Sequence, residues 1–531
     1  MSESKKVFKP WAPEWLIRIT LFLVVLPGLI LFVLSMSNNN AAAGYYGVSP
    51  NDIQYSFIIF YAAMASFVVL EARFFKNVAS KEYLIISVIL LMLTCLICYS
   101  VRNFAIILIC RYIQGLITCC TLNITATLMF SRLHSGRARE IAYSVIYGIL
   151  LSAIPFSTFA TSAIIDTFNF NAIYKVAIYS YIPGAALMYV LMNNVRLNRK
   201  FPLYQLDWSS FLMYTTGFCL VGYIAVYAQE YDWFEDITIQ IAAFLVLVLI
   251  ILFIIRQRNL KRPYIYLSVF KRKNFVVGAL LLFIFYICRG SFGIMTSIMG
   301  SVWGLDPIHI GYLLVYNVAA IILAAIVSSK LILTKKPMRL IFIYGFFILL
   351  IFHIVMCFMF TTQVDAEDLI IPVILQGFGA GMLMTPIIVF LVSSSPAKFG
   401  NTGSAVGILI RFSGFCSSIA LINFFQLYRQ NDHFNRYQDQ LSSLSLITSD
   451  RLLAIKNVMI AKGVAPDQAS KMSYTILNKG LAAQTQLRFA LDYYQILSWV
   501  ILAVLLLIIL FPSINSTIIN LKSKRPAPIA Y

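Results

Sequence analysis

The feature that most constrains this chain is a series of fourteen apolar segments, each about as long as a lipid bilayer core is thick. A helix needs about 20 predominantly apolar residues to cross that core. The segments cover approximately residues 15–37, 53–74, 82–101, 104–130, 140–165, 172–193, 208–228, 237–256, 274–297, 308–330, 339–361, 369–394, 402–428 and 489–512. The sequence therefore predicts an all-α polytopic membrane protein, and the segments are numbered below as spans 1 to 14.

The number and placement of charges favour the same fold class. Charged residues make up 12% of the chain, whereas an average soluble domain contains about 25%. With the N-terminus in the cytoplasm, 28 of the 41 Lys and Arg fall in cytoplasmic segments and 10 fall in outer loops. This is the positive-inside bias, so we expect both termini to be cytoplasmic. The net charge of +20 then indicates topology and contact with membrane lipids, and no nucleic-acid partner is expected.

A Gln-Gly pair at residues 114–115 recurs 262 residues later, at 376–377. The same offset maps spans 1 to 5 onto spans 9 to 13, and two spans remain between the repeats. Parallel repeats of this kind pack as two bundles with the substrate path between them. The predicted organisation is an N-terminal six-helix bundle (1–200), an inserted pair of spans 7 and 8 (201–260) and a C-terminal six-helix bundle (261–531).

The longest outer loop, residues 429–488, is predicted to be helical. Ser449 or Asp450 is suited to cap a helix that Gly463 would end. Asp467 lies near the start of a second helix, where an acidic side chain is favourable. We therefore expect a small helical hairpin outside the membrane, serving either as a lid or as a docking surface.

Three arginines lie within the apolar spans, namely Arg111, Arg289 and Arg411. A charged side chain at a helix centre costs about 2.5–3.5 kcal/mol on insertion scales, so each should face the bundle interior or water. Each arginine either holds neighbouring helices together or acts on a proton site or an anionic substrate group. We expect Arg111, with Gln114, to face the cavity between the halves and serve transport, and Arg289 and Arg411 to serve the cavity or its gate.

Acidic and titratable side chains are scarce within the spans. Glu71 lies about one turn from the cytoplasmic end of span 2, and Asp492 lies at the outer end of span 14. Both are candidates for proton coupling, although Glu71 could instead form an interfacial ion pair with Arg73. His353 in span 11 and Gln376 in span 12 are further candidates for the cavity or its gate, with a purely structural role as the alternative for His353.

Small residues concentrate in spans 12 and 13. Gly377 and Gly381 form one G-x-x-x-G pattern, and Gly403 and Gly407 form another. This spacing lets two helix backbones approach closely, so it predicts helix packing that is either static or able to slide.

No metal, cofactor or enzymatic activity is expected. All nine cysteines fall within spans, and the C-x-x-C at 95–98 has no further metal ligands near it. The one segment that could serve an enzyme acting on lipid-linked substrates is "EYDWFED" (230–236), and topology already accounts for its acids.

Several segments match the motifs of one transporter family. "RYIQG" (111–115) fits R-x-x-Q-G on span 4, and "RPYIYLSVFKRKNF" (262–275) fits the segment that precedes span 9. "ILIRFSG" (408–414) is similar to N-x-x-R-x-x-G on span 13, and "QTQLRFALDYY" (484–494) to the start of span 14. The chain resembles, over nearly its whole length, the EmrB/QacA-type fourteen-span drug:proton antiporter family of the major facilitator superfamily, and within it the EmrB-like members.

The resemblance implies the major facilitator fold, with two six-helix bundles plus two inserted helices. It implies secondary active efflux of amphipathic toxic compounds or drugs across the bacterial inner membrane, by alternating access and proton antiport. The implied partners are small lipophilic substrates, protons and, where the source has two membranes, a periplasmic adaptor and an outer-membrane channel.

Three family motifs are altered in this chain. Span 1 lacks the acid of L-D-x-T, the loop after span 2 lacks the Asp and glycines of its motif, and span 5 keeps only Pro155 of G-P-x-x-G-G. Proton coupling would then fall to Glu71 or Asp492, or to Arg111 acting with water. An uncoupled facilitator or importer and a non-transporting sensor or scaffold are the alternative functions.

Overall fold

The computed structural model describes residues 7–75, 78–132, 138–196, 206–260, 263–395, 400–441 and 446–510. Within these ranges the chain forms sixteen α-helices and no β-strand. The helices are α1 (Glu14–Ser37), α2 (Asn39–Tyr46), α3 (Pro50–Phe74), α4 (Ser80–Ser100), α5 (Phe104–Arg132), α6 (Ala138–Thr167), α7 (Ala172–Leu191), α8 (Trp208–Tyr227), α9 (Ile237–Asn259), α10 (Lys273–Ser301), α11 (Pro307–Leu333), α12 (Met338–Met359), α13 (Ile370–Ser394), α14 (Gly400–Gln440), α15 (Leu446–Ala461) and α16 (Pro466–Leu510).

Among the described residues, thirteen helices are long and apolar enough to cross a membrane. The remaining predicted span, at 172–193, also forms a helix, α7, but four tyrosines and Lys175 lower its hydropathy. Helices therefore stand at all fourteen predicted positions, which confirms the predicted all-α membrane fold. The chain is a multi-pass membrane protein, and α2 and α15 are its two additional helices.

The helices form two halves that meet along two seams. The N-terminal half contains α1 and α3 to α7, and the C-terminal half contains α10 to α14 and α16. Along one seam α6 packs against α11 and α13, and along the other α14 packs against α3 and α8. The predicted domain division stays a prediction, since its boundaries after residues 200 and 260 adjoin 197–205 and 261–262, which lie outside the described residues.

The two inserted helices pack on the outside of this arrangement. Asp207 precedes α8, and its Oδ1 accepts hydrogen bonds from the Ser210 backbone N (3.2 Å) and from Arg256 Nη2 of α9 (2.8 Å). Burial opposes ionisation of Asp207, but the hydrogen bonds from Ser210 and Arg256 outweigh it and lower the pKa of Asp207 below its ordinary value. Asp207 thus caps the start of α8, and its ion pair with Arg256 joins α8 to α9.

Two helices continue well past the length of a membrane span, because α14 has 41 residues and α16 has 45. Gly463, with φ +88°, follows α15 as predicted. Neither Ser449 nor Asp450 is the N-cap of α15, because both lie inside the helix; the Ser449 Oγ donates to the Leu446 carbonyl (2.8 Å). Helix α16 begins at Pro466, packs against α15 and continues without interruption into the membrane, so the second helix of the predicted hairpin is not a separate element.

We call the end of the molecule that carries α2 and α15 the distal end, and the end where α1 begins the proximal end. Because successive spans alternate in direction, α3 runs from the distal to the proximal end, whereas α1, α10 and α14 run the other way. This polarity fixes the depth of each candidate residue.

Candidate functional site

A cavity of about 590 Å³ lies between the two halves. Helices α1, α3 and α6 line it from the N-terminal half, and α10, α11, α13, α14 and α16 line it from the C-terminal half. It reaches the surface at the distal end of α10, where Ser297, Gly300 and Ser301 are exposed. A concave site of this size that both halves share is where a small-molecule ligand would bind.

Aromatic side chains from three helices close the cavity on its proximal side. Phe415 of α14 lines the cavity and packs against Phe57 of α3, with ring centroids 4.9 Å apart. One turn further in, Phe412 lies 5.3 Å from Tyr61 and stacks on Phe218 of α8 at 4.3 Å. These five rings form a layer that seals the seam between the halves, and we refer to them as the aromatic floor.

Arg289 of α10 is half-buried in the cavity wall. Its Nη2 donates to the carbonyl oxygen of Leu151 on α6 at 3.0 Å. The side chain therefore joins the two halves at the level of the cavity. It carries the one formal charge among the described residues that line the cavity.

Arg411 lies beside the aromatic floor, not in the cavity wall. It is 8% exposed, and its guanidinium carbon lies 5.2 Å from the ring centroid of Tyr147 on α6. A cation over an aromatic face is attracted by the negative charge density of the ring. Arg411 thus links α14 to α6 one turn proximal to the cavity, where a gate would lie.

Neutral amides supply most of the other polar groups in the cavity. The Gln376 Oε1 accepts a hydrogen bond from Asn317 Nδ2 at 2.7 Å, which joins α13 to α11. The Asn423 Nδ2 of α14 donates to Gln54 Oε1 of α3 at 3.4 Å, across the two halves. All four side chains line the cavity.

Arg111 and Gln114 lie inside the N-terminal half, away from the cavity. The Arg111 Nη1 donates to the Leu31 carbonyl (2.7 Å) and to Gln114 Oε1 (3.2 Å), and its Nη2 donates to the Phe32 carbonyl (3.1 Å). Its guanidinium carbon also lies 4.6 Å from the centre of the Phe60 ring. Both polar side chains are fully buried.

The expectation that this pair faces the cavity is therefore wrong for this conformation. The physical reason is that the α1 backbone supplies carbonyl acceptors for the Arg111 guanidinium, so the charge needs no water. A transport role for Arg111 and Gln114 stays a prediction.

Glu71 is a buried carboxylate near the proximal end of α3. It is 1% exposed, and it accepts hydrogen bonds from Tyr83 Oη (3.2 Å) and Asn123 Nδ2 (2.9 Å). The alternative pairing with Arg73 does not form, since Arg73 Nη2 donates instead to the Pro263 carbonyl at 3.2 Å. Among the described side chains, the partners of Glu71 are thus neutral.

Asp492 lies at the distal end of the membrane-spanning part of α16, outside the cavity wall. Its Oδ2 is 3.0 Å from His433 Nε2 and 3.7 Å from Arg429 Nε, both on α14. The carboxylate is 23% exposed. Unlike Glu71, Asp492 is close to cationic or basic groups and to solvent.

His353 lies within the C-terminal half and does not line the cavity. Its Nδ1 is 2.7 Å from the Leu349 carbonyl oxygen and its Nε2 is 3.1 Å from Ser291 Oγ. The ring is fully buried beside Phe352 and Tyr494. This environment joins α12 to α10 and offers no route to solvent.

The glycines of α13 lie where that helix approaches α11 most closely. A Cβ atom on Gly377 would lie 2.6 Å from the Asn317 carbonyl oxygen, and one on Gly381 would lie 2.7 Å from that of Ile321. Any larger side chain would force the two backbones apart. In α14, the Cβ position of Gly403 is 2.8 Å from Ser395 Oγ and that of Gly407 is 3.2 Å from Leu391.

Sequence reasoning missed several residues that complete these sites. Asn123 and Tyr83 bind Glu71, His433 binds Asp492, and Asn317 binds Gln376. Asn123 and Asn317 carry a usable signal, because each is an amide inside an apolar span and would be selected by the criterion that selected the arginines.

The fold and the shared cavity define a polytopic membrane transporter built from two helical halves. The family model of the Major Facilitator Superfamily matches residues 20–421. The chain belongs to this superfamily, whose members are transporters.

Its relatives include the probable multidrug resistance protein EmrY of Escherichia coli, which is 22% identical over 75% of this chain and 78% of EmrY. The colistin resistance protein EmrB of Acinetobacter baumannii is 23% identical over 51% of this chain and 53% of EmrB. Both relatives confirm the resemblance to the EmrB/QacA type. Among solved structures, a POT family transporter in complex with 5-aminolevulinic acid superposes with a TM-score of 0.58 at 12% identity, over 94% of this chain and 97% of that one.

Proposed function

We propose that this chain exports amphipathic toxic compounds across the bacterial inner membrane by alternating access, in exchange for protons. The observation that supports this most directly is a cavity lined by both halves and sealed on one side by the aromatic floor. With both termini in the cytoplasm, the distal end faces outward and the cavity is open to the outside, as an exporter must be when it releases substrate. The names of EmrY and EmrB, which refer to drug resistance, support the substrate class.

Glu71 is our proposed proton-coupling group. The partners of Glu71 among the described side chains are neutral, and a buried carboxylate in such surroundings is costly in its charged form, which favours binding of a proton. If the proximal side opens, water reaches the region around Glu71 and the charged form becomes acceptable there. Glu71 would then bind a proton in one conformation and release it in the other. Asp492 is less suited, because it lies outside the cavity wall, is 23% exposed and is paired with Arg429 and His433.

The test is substrate-induced proton movement in everted membrane vesicles. Vesicles with an acidified lumen receive lipophilic cations or bile salts in turn, and a pH-sensitive dye reports proton efflux. Uncouplers carry protons across the bilayer themselves, so they are tested only as labelled substrates. We expect efflux with the wild type and with Asp492→Asn, and none with Glu71→Gln. Exchange of labelled against unlabelled substrate at equal pH should persist in Glu71→Gln, because it needs no net proton transfer.

Other outcomes would change the assignment. Loss of both proton efflux and exchange in Glu71→Gln, at normal abundance, would give Glu71 a structural role. Substrate flux without proton movement in the wild type would favour an uncoupled facilitator, which the lack of carboxylates among the described cavity residues also supports. No flux of any kind would favour a sensor or scaffold.

A periplasmic adaptor and an outer-membrane channel are the partners we propose for a source with two membranes. The distal helices α14, α15 and α16 are the candidate docking region, because Leu446 and Ile447 at the start of α15 are 76% and 80% exposed. Cross-linking from α15 in intact cells, followed by identification of the product, tests this association.

A further inference from the structure

The cavity carries an unbalanced positive charge. Arg289 lines it, and the described residues that line it include no Asp, Glu or Lys. The remaining polar groups are amides and hydroxyls, which bear no formal charge. A bound ligand therefore meets one fixed cation and no fixed anion.

Arg289 is placed to bind a ligand directly. Its half-buried guanidinium belongs to the cavity wall, and its one described hydrogen bond, to the Leu151 carbonyl, holds it against α6. A guanidinium has five N–H donors in a planar fork, which suits the two oxygens of a carboxylate or sulfonate. One bond to the protein fixes the orientation and leaves the remaining donors for a ligand.

The surroundings of Arg289 suit the rest of such a molecule. Ile154 of α6, Leu314 of α11 and Phe415 of α14 provide apolar walls, and the Asn423–Gln54 pair provides neutral hydrogen-bonding groups. Removal from bulk water strengthens the interaction between unlike charges. An acidic group joined to an apolar body would satisfy both parts of the cavity.

A cationic ligand fits these observations less well. Aromatic faces attract cations, and Tyr286, Phe292, Phe415 and Phe489 line the cavity. That attraction is weaker than the repulsion between two full charges a few ångströms apart. Arg289 would repel a second positive charge, and no carboxylate among the described lining residues offsets that repulsion.

We infer that the substrate of this cavity is an amphipathic organic anion whose acidic group binds Arg289. The inference rests on the proposed export function, because it names the charge class of the substrate for the same cavity. The inference narrows the broad class of amphipathic toxic compounds to organic anions, so lipophilic cations are not expected to be substrates.

The test is equilibrium binding of two probes that share an aromatic body and differ in charge. Radiolabelled naphthalene-2-carboxylate and (2-naphthyl)trimethylammonium are titrated onto the full chain in lipid nanodiscs. We expect the wild type to bind the carboxylate more tightly by about tenfold, which corresponds to ~1.4 kcal/mol. Arg289→Gln should abolish that preference, Arg289→Lys should keep part of it, and Arg289→Glu should reverse it.

Arg488→Gln is the matched control, since Arg488 is exposed on α16 and its Nε donates to Tyr437 Oη at 3.2 Å, outside the cavity. It should retain the wild-type preference. A gain of cation binding in Arg289→Glu cannot arise from misfolding, so the reversal separates a binding role from a structural one.

Three results would overturn the inference: tighter binding of the cation by the wild type, no measurable binding of either probe, or an anion preference that survives Arg289→Gln. Binding does not require transport, so the two proposals can fail separately. Anion binding without flux in vesicles would remove the export function and leave the charge class. Flux of cations alone would support the export function and remove the proposed charge class.

Discussion

Replacing Arg111 separates a structural role from a transport role at the residue that the sequence marks most clearly. The structure places its guanidinium between α5 and α1, bonded to two α1 carbonyls and to Gln114. We compare Arg111→Ala, which removes the side chain, with Arg111→Met, which keeps most of its volume without the charge.

The expected magnitudes follow from these contacts. The carbonyls of Leu31 and Phe32 lie inside α1 and keep their helical hydrogen bonds when Arg111 is removed. Burying the charge is itself costly, so the loss of three hydrogen bonds is partly offset. The main loss in Arg111→Ala is packing against Phe60 and a new void, for which large-to-small replacements cost about 2–5 kcal/mol. Arg111→Met leaves little void, but it removes the donor of the buried Gln114 Oε1, and an unpaired buried acceptor costs about 1–3 kcal/mol.

The assay combines thermal unfolding of the purified protein with substrate flux per molecule at matched abundance. At about 2.1 cal/mol/K per residue, the unfolding entropy of this chain corresponds to a shift of about 1 °C per kcal/mol. Arg111→Ala should therefore unfold roughly 2–5 °C below the wild type, and Arg111→Met closer to it. Flux per folded molecule should be near normal for Arg111→Met. Normal stability with no flux in Arg111→Met would refute the structural interpretation, and would mean that the charge takes part in another step of the transport cycle.

Three further predictions concern other parts of the fold. Gly381→Val should lower the unfolding temperature by the equivalent of about 1–3 kcal/mol, because its Cβ would lie 2.7 Å from the Ile321 carbonyl oxygen; an unchanged temperature would contradict the close packing of α11 and α13. Asp207→Asn should lower the unfolding temperature more at pH 7 than at pH 3. The reason is that a carboxylate with a lowered pKa stabilises the fold above its unfolded pKa of about 3.9. That stabilisation is lost as the pH falls through the lowered pKa of the folded state. An equal effect at both pH values would exclude the ion pair with Arg256. Asp492→Asn should change the free energy of unfolding by no more than about 1 kcal/mol, as is typical of exposed ion pairs, and a larger loss in thermal unfolding would show that the contact with His433 is stronger than its exposure suggests.

The sequence predicts the depth of a residue in the membrane better than the direction in which it points. The spans emerge from hydropathy alone, because the bilayer imposes one length on every helix. Arg111 and Arg289 look alike by that criterion, yet Arg289 faces the cavity and Arg111 contacts backbone carbonyls in its own half. Which side of a helix faces the cavity depends on how the two halves pack against each other, and the local sequence does not predict that packing.

Side-chain contacts between residues distant in sequence could not be predicted from the sequence either. Glu71 and Asn123 are 52 positions apart and meet because α3 packs along α5. The second helix of the hairpin predicted in the outer loop is not a separate element, because it continues through Gly480 into the membrane-spanning part of α16. The turn signal at Gly463 was local and was therefore predictable.

The length of α14 has a mechanical consequence. At about 1.5 Å per residue, its 41 residues extend roughly 60 Å, which is about twice the thickness of a bilayer core. Residues 415–426 of this helix line the cavity, and the same helix runs on to Gln440 without interruption. A small tilt of the cavity wall therefore swings the distal tip through a larger arc, as a lever does. A spectroscopic label placed on that tip would report the opening and closing of the cavity without touching the substrate.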